Sequence, residues 1–170
     1  MERCYILFGS NMGDKDAIFA QACLLINNRC GQVVQVSAAY ESEPWGFEAD
    51  DWFLNRVIVV DTELAPDDLM QHLLDIEREL GRIRHPEAKG YTSRTADLDL
   101  LYYGQRVVNT ERLTVPHPRL HLRRFALVPM CEVAPDWEHP VLEMTQEELL
   151  LHCPDDSVVR ERATKNVEII

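Results

Sequence analysis

The chain lacks any apolar run near the ~18 residues that a membrane span needs. Its start, Met1-Glu2-Arg3-Cys4 running into Tyr5-Ile6-Leu7-Phe8, has no signal-peptide pattern, so a cytoplasmic location is expected. Cysteine spacing that would mark a framework is missing: Cys4, Cys23, Cys30, Cys131 and Cys153 are odd in number, scattered and free of C-x-x-C spacing. That argues against a disulfide framework and a zinc site and leaves buried free thiols as the expectation. Positive charge is also short. Seventeen Lys and Arg face 29 Asp and Glu, a net charge of −12, which argues against nucleic acid as a partner. Glycine is scarce, and Gly9-Ser10-Asn11-Met12-Gly13 lacks the G-x-x-x-x-G-K-[ST] spacing of a P-loop. There is no internal repeat and no low-complexity segment.

What is present suits one globular domain. The 170 residues are 46% hydrophobic, ample for a single core. Cys4–Phe8 reads as a buried strand ended by the turn-forming cluster Gly9–Asp14. Helical spacing of Ile18, Ala22, Leu25 and Ile26 predicts a helix over Asp16–Asn28, with Gly31 as its stop. Val33–Tyr40 is a strand, 41–51 a loop, and Phe53–Thr62 a β-branched strand. Pro66 opens a helix carried by Leu69, Leu73, Ile76 and Leu80 to Gly81. A polar loop over 82–95 precedes a strand over Ala96–Tyr103. The order strand, helix, strand, strand, helix, strand predicts an α+β, ferredoxin-like βαββαβ core with a mostly antiparallel sheet. Further helices are expected over Leu122–Cys131 and Thr145–His152. Residues 1–153 form the expected domain, and 154–170 a charged tail that need not join the core.

The acidity is uneven. Between Arg78 and Arg124 ten Lys or Arg outnumber five acids, and inside that cationic segment lies Arg94-Thr95-Ala96-Asp97-Leu98-Asp99-Leu100-Leu101. On a strand Asp97 and Asp99 share one face, with Cα atoms roughly 6 to 7 Å apart, while Leu98 and Leu100 point the other way. Two carboxylates so close call for a cation between them. Mg²⁺ takes a couple of carboxylates and completes its shell with water and phosphate oxygens. A half-solvated strand also alternates Asp with Leu, and the triplet alone leaves both readings open.

Seven motifs in order narrow the choice: Leu7-Phe8-Gly9-Ser10-Asn11-Met12-Gly13-Asp14, Tyr40-Glu41-Ser42-Glu43-Pro44-Trp45-Gly46, Phe53-Leu54-Asn55, Ile76-Glu77 with Gly81-Arg82-Ile83-Arg84, Ser93-Arg94-Thr95-Ala96-Asp97-Leu98-Asp99, Arg112-Leu113-Thr114-Val115-Pro116-His117, and Arg123-Arg124-Phe125. In this the chain resembles the 6-hydroxymethyl-7,8-dihydropterin pyrophosphokinase family from about Tyr5 to about Leu151. It departs in having Tyr91 where many members carry tryptophan and Pro118 where tyrosine is common.

The resemblance implies transfer of the β,γ-pyrophosphoryl group of ATP to a primary alcohol on the pterin, with release of AMP, in folate biosynthesis. By resemblance Asp97 and Asp99 hold two Mg²⁺ ions, and Arg82 and Arg94 act with them in catalysis. Arg84, Tyr91, Leu100, Arg112, Thr114, His117 and Arg123 form the ATP side. Ser42, Glu43, Trp45, Phe53, Asn55 and Phe125 form the pterin pocket, where an amide and aromatic faces suit a flat, hydrogen-bonding heterocycle. Either aspartate could accept the hydroxyl proton.

Plainer readings stand beside these roles. The arginines could pair with Glu77 and Glu79, Phe53 and Phe125 could be core residues, and a histidine after proline is usually structural. The expected partners are ATP and the pterin, with no nucleic acid and no membrane, and the expected state is a monomer. The loop over 84–93 is expected to close over bound substrates. Two rivals remain: a ferredoxin-like binding module, and a different magnesium enzyme such as a nucleotidyltransferase.

Overall fold

The computed structural model describes residues 1–43, 52–84 and 95–162, with backbone alone for 82–84. The expected loop over 82–95, with Arg94 and Tyr91, and Trp45 of the pterin group therefore fall outside the described residues or at their margin. The elements in order are β1 (Glu2–Ser10), α1 (Lys15–Arg29), β2 (Gln32–Val36), β3 (Tyr40–Ser42), β4 (Phe53–Thr62), α2 (Pro66–Arg84), β5 (Asp97–Tyr103), β6 (Val108–Asn109), β7 (Thr114–Val115), α3 (Arg124–Val133), α4 (Gln146–Leu151) and β8 (Val159–Glu161).

The main sheet runs β5-β1-β4-β3-β8, with β2 also on β4, and its pairs are all antiparallel. This is the ferredoxin-like order, since β2 and β3 together occupy the second-strand position. Strand alternation divides the interior into two layers. Cys4, Ile6 and Phe8 of β1 pack with Ile18, Phe19, Leu69 and Leu73 of α1 and α2. Tyr5 and Leu7 point to the opposite face, against Leu127 and Met130 of α3 and Leu149 of α4.

Several boundaries differ from expectation for local reasons. The strand expected over Val33–Tyr40 is broken at Ser37–Ala39, because Ser37 Oγ accepts from the Val57 amide at 2.9 Å and the Ser37 carbonyl accepts both Arg56 Nε and Nη2. Helix α2 continues through Gly81 to Arg84, since one interior glycine costs only ~1 kcal/mol against a well-buried apolar stripe. Gly31 answers to close approach: a Cβ there would sit 2.3 Å from the Asp61 carbonyl oxygen. Leu120–Leu122 is a short 3-10 turn, and α3 starts at Arg124. Thr145 caps α4 in a capping box with Glu148.

The expected tail is only partly separate, because β8 adds to the sheet edge beside β3, Ser42 facing Val159 and Tyr40 facing Glu161. Cys4, Cys23 and Cys30 are buried free thiols, while Cys131 and Cys153 are half-buried. Burial pushes the Cys4 and Cys23 thiols up to about 12, so neither is a nucleophile at neutral pH. Among the described residues no helix is long and apolar enough to cross a membrane.

Candidate active site

Register brings distant segments into one row. Asp97 pairs with Gly9, Gly9 with Asn55 and Asn55 with Tyr40, while Asp99 lies opposite Leu7 and Phe53 opposite Ser42. Asp97 and Asp99 face the α3 side of the sheet, and Leu98 and Leu100 are buried on the other. A cleft of about 450 Å³ opens over this row. Asp97, Asp99 and Arg123 line one flank; Ser42, Glu43, Phe53 and Asn55 line the other; Leu7 and Gly9 form the floor, with Phe125, Leu122 and Arg119 along the rim. Gly9 keeps the floor low, because a Cβ built there would meet nothing nearer than Asn55 Oδ1 at 3.9 Å.

Three carboxylates converge at the first flank. Helix α2 carries Glu77 to the edge of β5 that β1 does not use, where it accepts the Leu98 amide at 2.7 Å. Burial pushes its carboxyl up to about 7; the Leu98 amide opposes this, while the charges of Asp97 and Asp99 and a hydrogen bond with Asp97 add to it. Arg123 Nη1 lies 3.9 Å from Asp99 Oδ2. Its backbone is extended (φ −123°, ψ 104°) between the 3-10 turn and α3. The donors are hard carboxylate oxygens, which suit Mg²⁺. Among the described residues no group of three or more His, Cys, Asp or Glu could by itself hold a metal ion. A cation on Asp97 and Asp99 would thus complete its shell with water and phosphate oxygens.

The second flank is built for a polar heterocycle. Asn55 is buried, its Nδ2 donating to Ser42 Oγ at 2.8 Å and to the Tyr40 carbonyl at 3.3 Å. Those bonds fix the amide with Oδ1 toward Gly9 and the cleft. Phe53 and Phe125 line the cleft, so packing against the core does not exhaust their surfaces.

Four further expected residues that the structure describes lie outside the cleft lining. Leu100 is buried with its side chain in the α1/α2 core layer, so only its backbone is positioned to meet a ligand. Arg112 is held by Gln71 on α2 at 3.2 Å, and Thr114 lies on β7, paired with Asn109. His117 docks on β5, its amide donating to the Leu101 carbonyl at 2.9 Å and its Nδ1 accepting the Arg119 amide at 3.1 Å. Thr114, on β7, and His117 thus lie beside β5.

Burial, then the nearby Arg123 and Arg119 charges, holds the His117 imidazole down at about 4. The folded protein thus refuses a proton that the unfolded chain takes up near 6.5. Stability from this residue is complete above about pH 6.5 and is lost as pH falls toward 4. His117→Gln is therefore expected to flatten the fall of Tm over that interval, read by melting curves at half-unit pH steps. An unchanged slope would contradict a neutral His117.

Two residues near the carboxylates escaped the sequence reading. Glu77 stood in a motif only as a partner for an arginine; its bond to Leu98 joins residues 21 apart in sequence, which no local pattern signals. Arg119 was counted in the cationic segment, and nothing in its spacing marked it as a rim residue.

The profile of the 7,8-dihydro-6-hydroxymethylpterin-pyrophosphokinase family matches residues 5–135. A relative from Methylorubrum extorquens, named 2-amino-4-hydroxy-6-hydroxymethyldihydropteridine pyrophosphokinase, is 43% identical over 137 residues, covering 80% of this chain and 85% of its own. A folic acid synthesis protein of Dictyostelium discoideum is 33% identical over 151 residues, 89% of this chain but 22% of that protein. Among solved structures, wild-type Plasmodium falciparum HPPK-DHPS with pteroate superposes with a TM-score of 0.69 at 13% identity, over 88% of this chain and 44% of that longer one. That likeness concerns the fold. The chain belongs to the 7,8-dihydro-6-hydroxymethylpterin pyrophosphokinase family.

Proposed function

We propose that this chain transfers the pyrophosphoryl group of MgATP to the hydroxymethyl group of 6-hydroxymethyl-7,8-dihydropterin, releasing AMP, as a cytoplasmic monomer in folate biosynthesis. One observation carries the site assignment. The paired carboxylates and the buried amide of Asn55 lie on the same sheet face, separated by a glycine floor. A pterin alcohol and a triphosphate can meet there.

The pterin sits against Phe53 and Phe125, its pyrimidine edge read by Asn55 with Ser42 and Glu43 beside it, and Trp45 joins this group by the resemblance alone. The triphosphate lies over Asp97 and Asp99, with Arg123, His117, Thr114, Arg112 and the Leu100 backbone toward the nucleotide; Arg84 and Tyr91 are assigned to it by the resemblance alone. The alcohol oxygen bonds to the β-phosphorus, the bond from that phosphorus to the bridging oxygen breaks, and AMP leaves with the bridging oxygen. Asp97 is the candidate acceptor of the hydroxyl proton. Mg²⁺ held by Asp97 and Asp99, two ions by the resemblance, supplies charge neutralisation and polarisation of the phosphoryl group. Arg82 and Arg94 stabilise charge on the transferring group, and Glu77 supports the strand that holds the carboxylates.

The test is the product. AMP release that depends on the hydroxymethylpterin supports this reading, pyrophosphate release would indicate a nucleotidyltransferase, and turnover of neither would return the chain to a binding role. In single-turnover measurements Arg82→Ala and Arg94→Ala are expected to slow the chemical step by roughly tenfold to thousandfold, the range for one lost transition-state contact; an unchanged step would remove them from catalysis. Asn55→Ala and Phe53→Ala are expected to weaken pterin binding while leaving MgATP affinity close to unchanged, as read by calorimetry with each ligand. Equal losses for both ligands would mean these residues hold the fold instead.

A further inference from the structure

The pterin flank depends on residues outside the family match, which ends at residue 135. Strand β3 is three residues long, and β4 satisfies only one of its edges. The other edge is taken by β8, with Ser42 facing Val159 and Glu41 facing Arg160. The Arg160 side chain reaches in two directions. Its Nε lies 3.2 Å from Glu41 Oε1 on β3, and its guanidinium stacks 4.0 Å from the ring centroid of Trp52, the residue just before β4. Trp52 is also held by Lys15 Nζ, which donates to its carbonyl at 3.1 Å.

Two further contacts fasten the segment that carries Arg160. The Arg162 amide donates to the Ala39 carbonyl at 2.8 Å, and the Arg162 guanidinium pairs with Asp16. A single side chain therefore ties the exit of β3 to the entry of β4. Those two chain ends bear Ser42 and Glu43 on one side and Phe53 and Asn55 on the other.

We infer that Arg160 is a positioning residue for the pterin pocket, clipping the β3 and β4 ends together so that Ser42, Phe53 and Asn55 meet the heterocycle at a fixed separation. The inference rests on the pterin assignment given above. The ion pair and the ring contact of Arg160 both fall on the ends of β3 and β4, so its effect is selective for the pterin. Its side chain is 57% exposed, so the clip adds little to global stability and acts on the spacing of the pocket walls.

The test is calorimetry on the full chain with Mg²⁺ present. One arm titrates α,β-methylene-ATP, and the other titrates 6-hydroxymethyl-7,8-dihydropterin onto protein saturated with that analogue. Arg160→Ala is expected to weaken pterin binding by about fivefold to tenfold, the size of one stacked and paired guanidinium. Nucleotide affinity, kcat at saturation and Tm should stay close to wild type. Arg160→Glu should lose more, and Arg160→Glu combined with Glu41→Arg should recover part of the loss by restoring the cross-strand pair without the stack. Wild-type pterin affinity in Arg160→Ala, or equal losses for both ligands, would overturn the inference. Wild-type protein that binds the nucleotide analogue but no pterin would instead defeat the functional reading, and this inference with it.

Discussion

Replacing Asp97 or Asp99 with alanine is expected to cut kcat by about a thousandfold or more while leaving the fold intact. Each substitution removes one of the two carboxylates that β5 presents to the cleft, and no neighbour can take its place. Glu77 lies against the strand edge and is committed to the Leu98 amide; Arg123 carries the wrong charge. Thermal stability of the metal-free protein should hardly fall. Three carboxylates crowd this flank, and the Asp99–Arg123 contact, at 3.9 Å with 36% and 27% exposed side chains, belongs to the class of pairs that contribute little. Steady-state kinetics at saturating Mg²⁺ beside melting curves is the measurement. Near-normal kcat in a well-folded Asp97→Ala protein would sink the metal assignment.

The second large effect is expected at Gly9, where size should act in steps. Gly9→Ala should bind both substrates nearly as the wild type does, because its Cβ meets only Asn55 Oδ1 at an ordinary 3.9 Å. Gly9→Leu should lose pterin affinity by about a hundredfold or more. Its branched end would stand on the floor between the Asn55 amide and the Asp97 carboxylate, inside a cleft of only about 450 Å³, and the loss is of the order set by displacing an anchored ring. Tm should move little, since the added atoms enter open space and not the packed core. Calorimetry on both variants gives the answer, and a Leu variant that binds pterin normally would mean that the ring does not lie over Gly9.

The ferredoxin-like order could be read from the chain because its evidence is local. A strand alternates every two residues and a helix repeats every 3.6, so β1, β4, α1 and α2 show their buried faces in their own composition. The same period puts Asp97 and Asp99 on one side of β5, which made the carboxylate pair legible without coordinates. Motif order added the family, because it collects many short signals along the chain.

Other features needed tertiary contacts. Whether Phe53 and Phe125 pack inward or line a cleft was open, since an aromatic residue at the start of an element serves both uses; the sheet register and the start of α3 decided it. The break between β2 and β3 depends on Ser37 meeting Val57 and Arg56. Nothing in Val33–Tyr40 alone announces it.

By itself the sequence determined the main strands and helices of the core, the ferredoxin-like order and a pair of carboxylates on one strand face, because each follows from periodicity or motif within a short stretch. Only the tertiary structure decided that Gly9 lies between Asp97 and Asn55, that Glu77 caps the free edge of β5, and that Arg160 reaches Trp52. Those contacts join residues that are remote along the chain, and they arise from register and layer packing, which act between elements and leave no pattern inside any one of them.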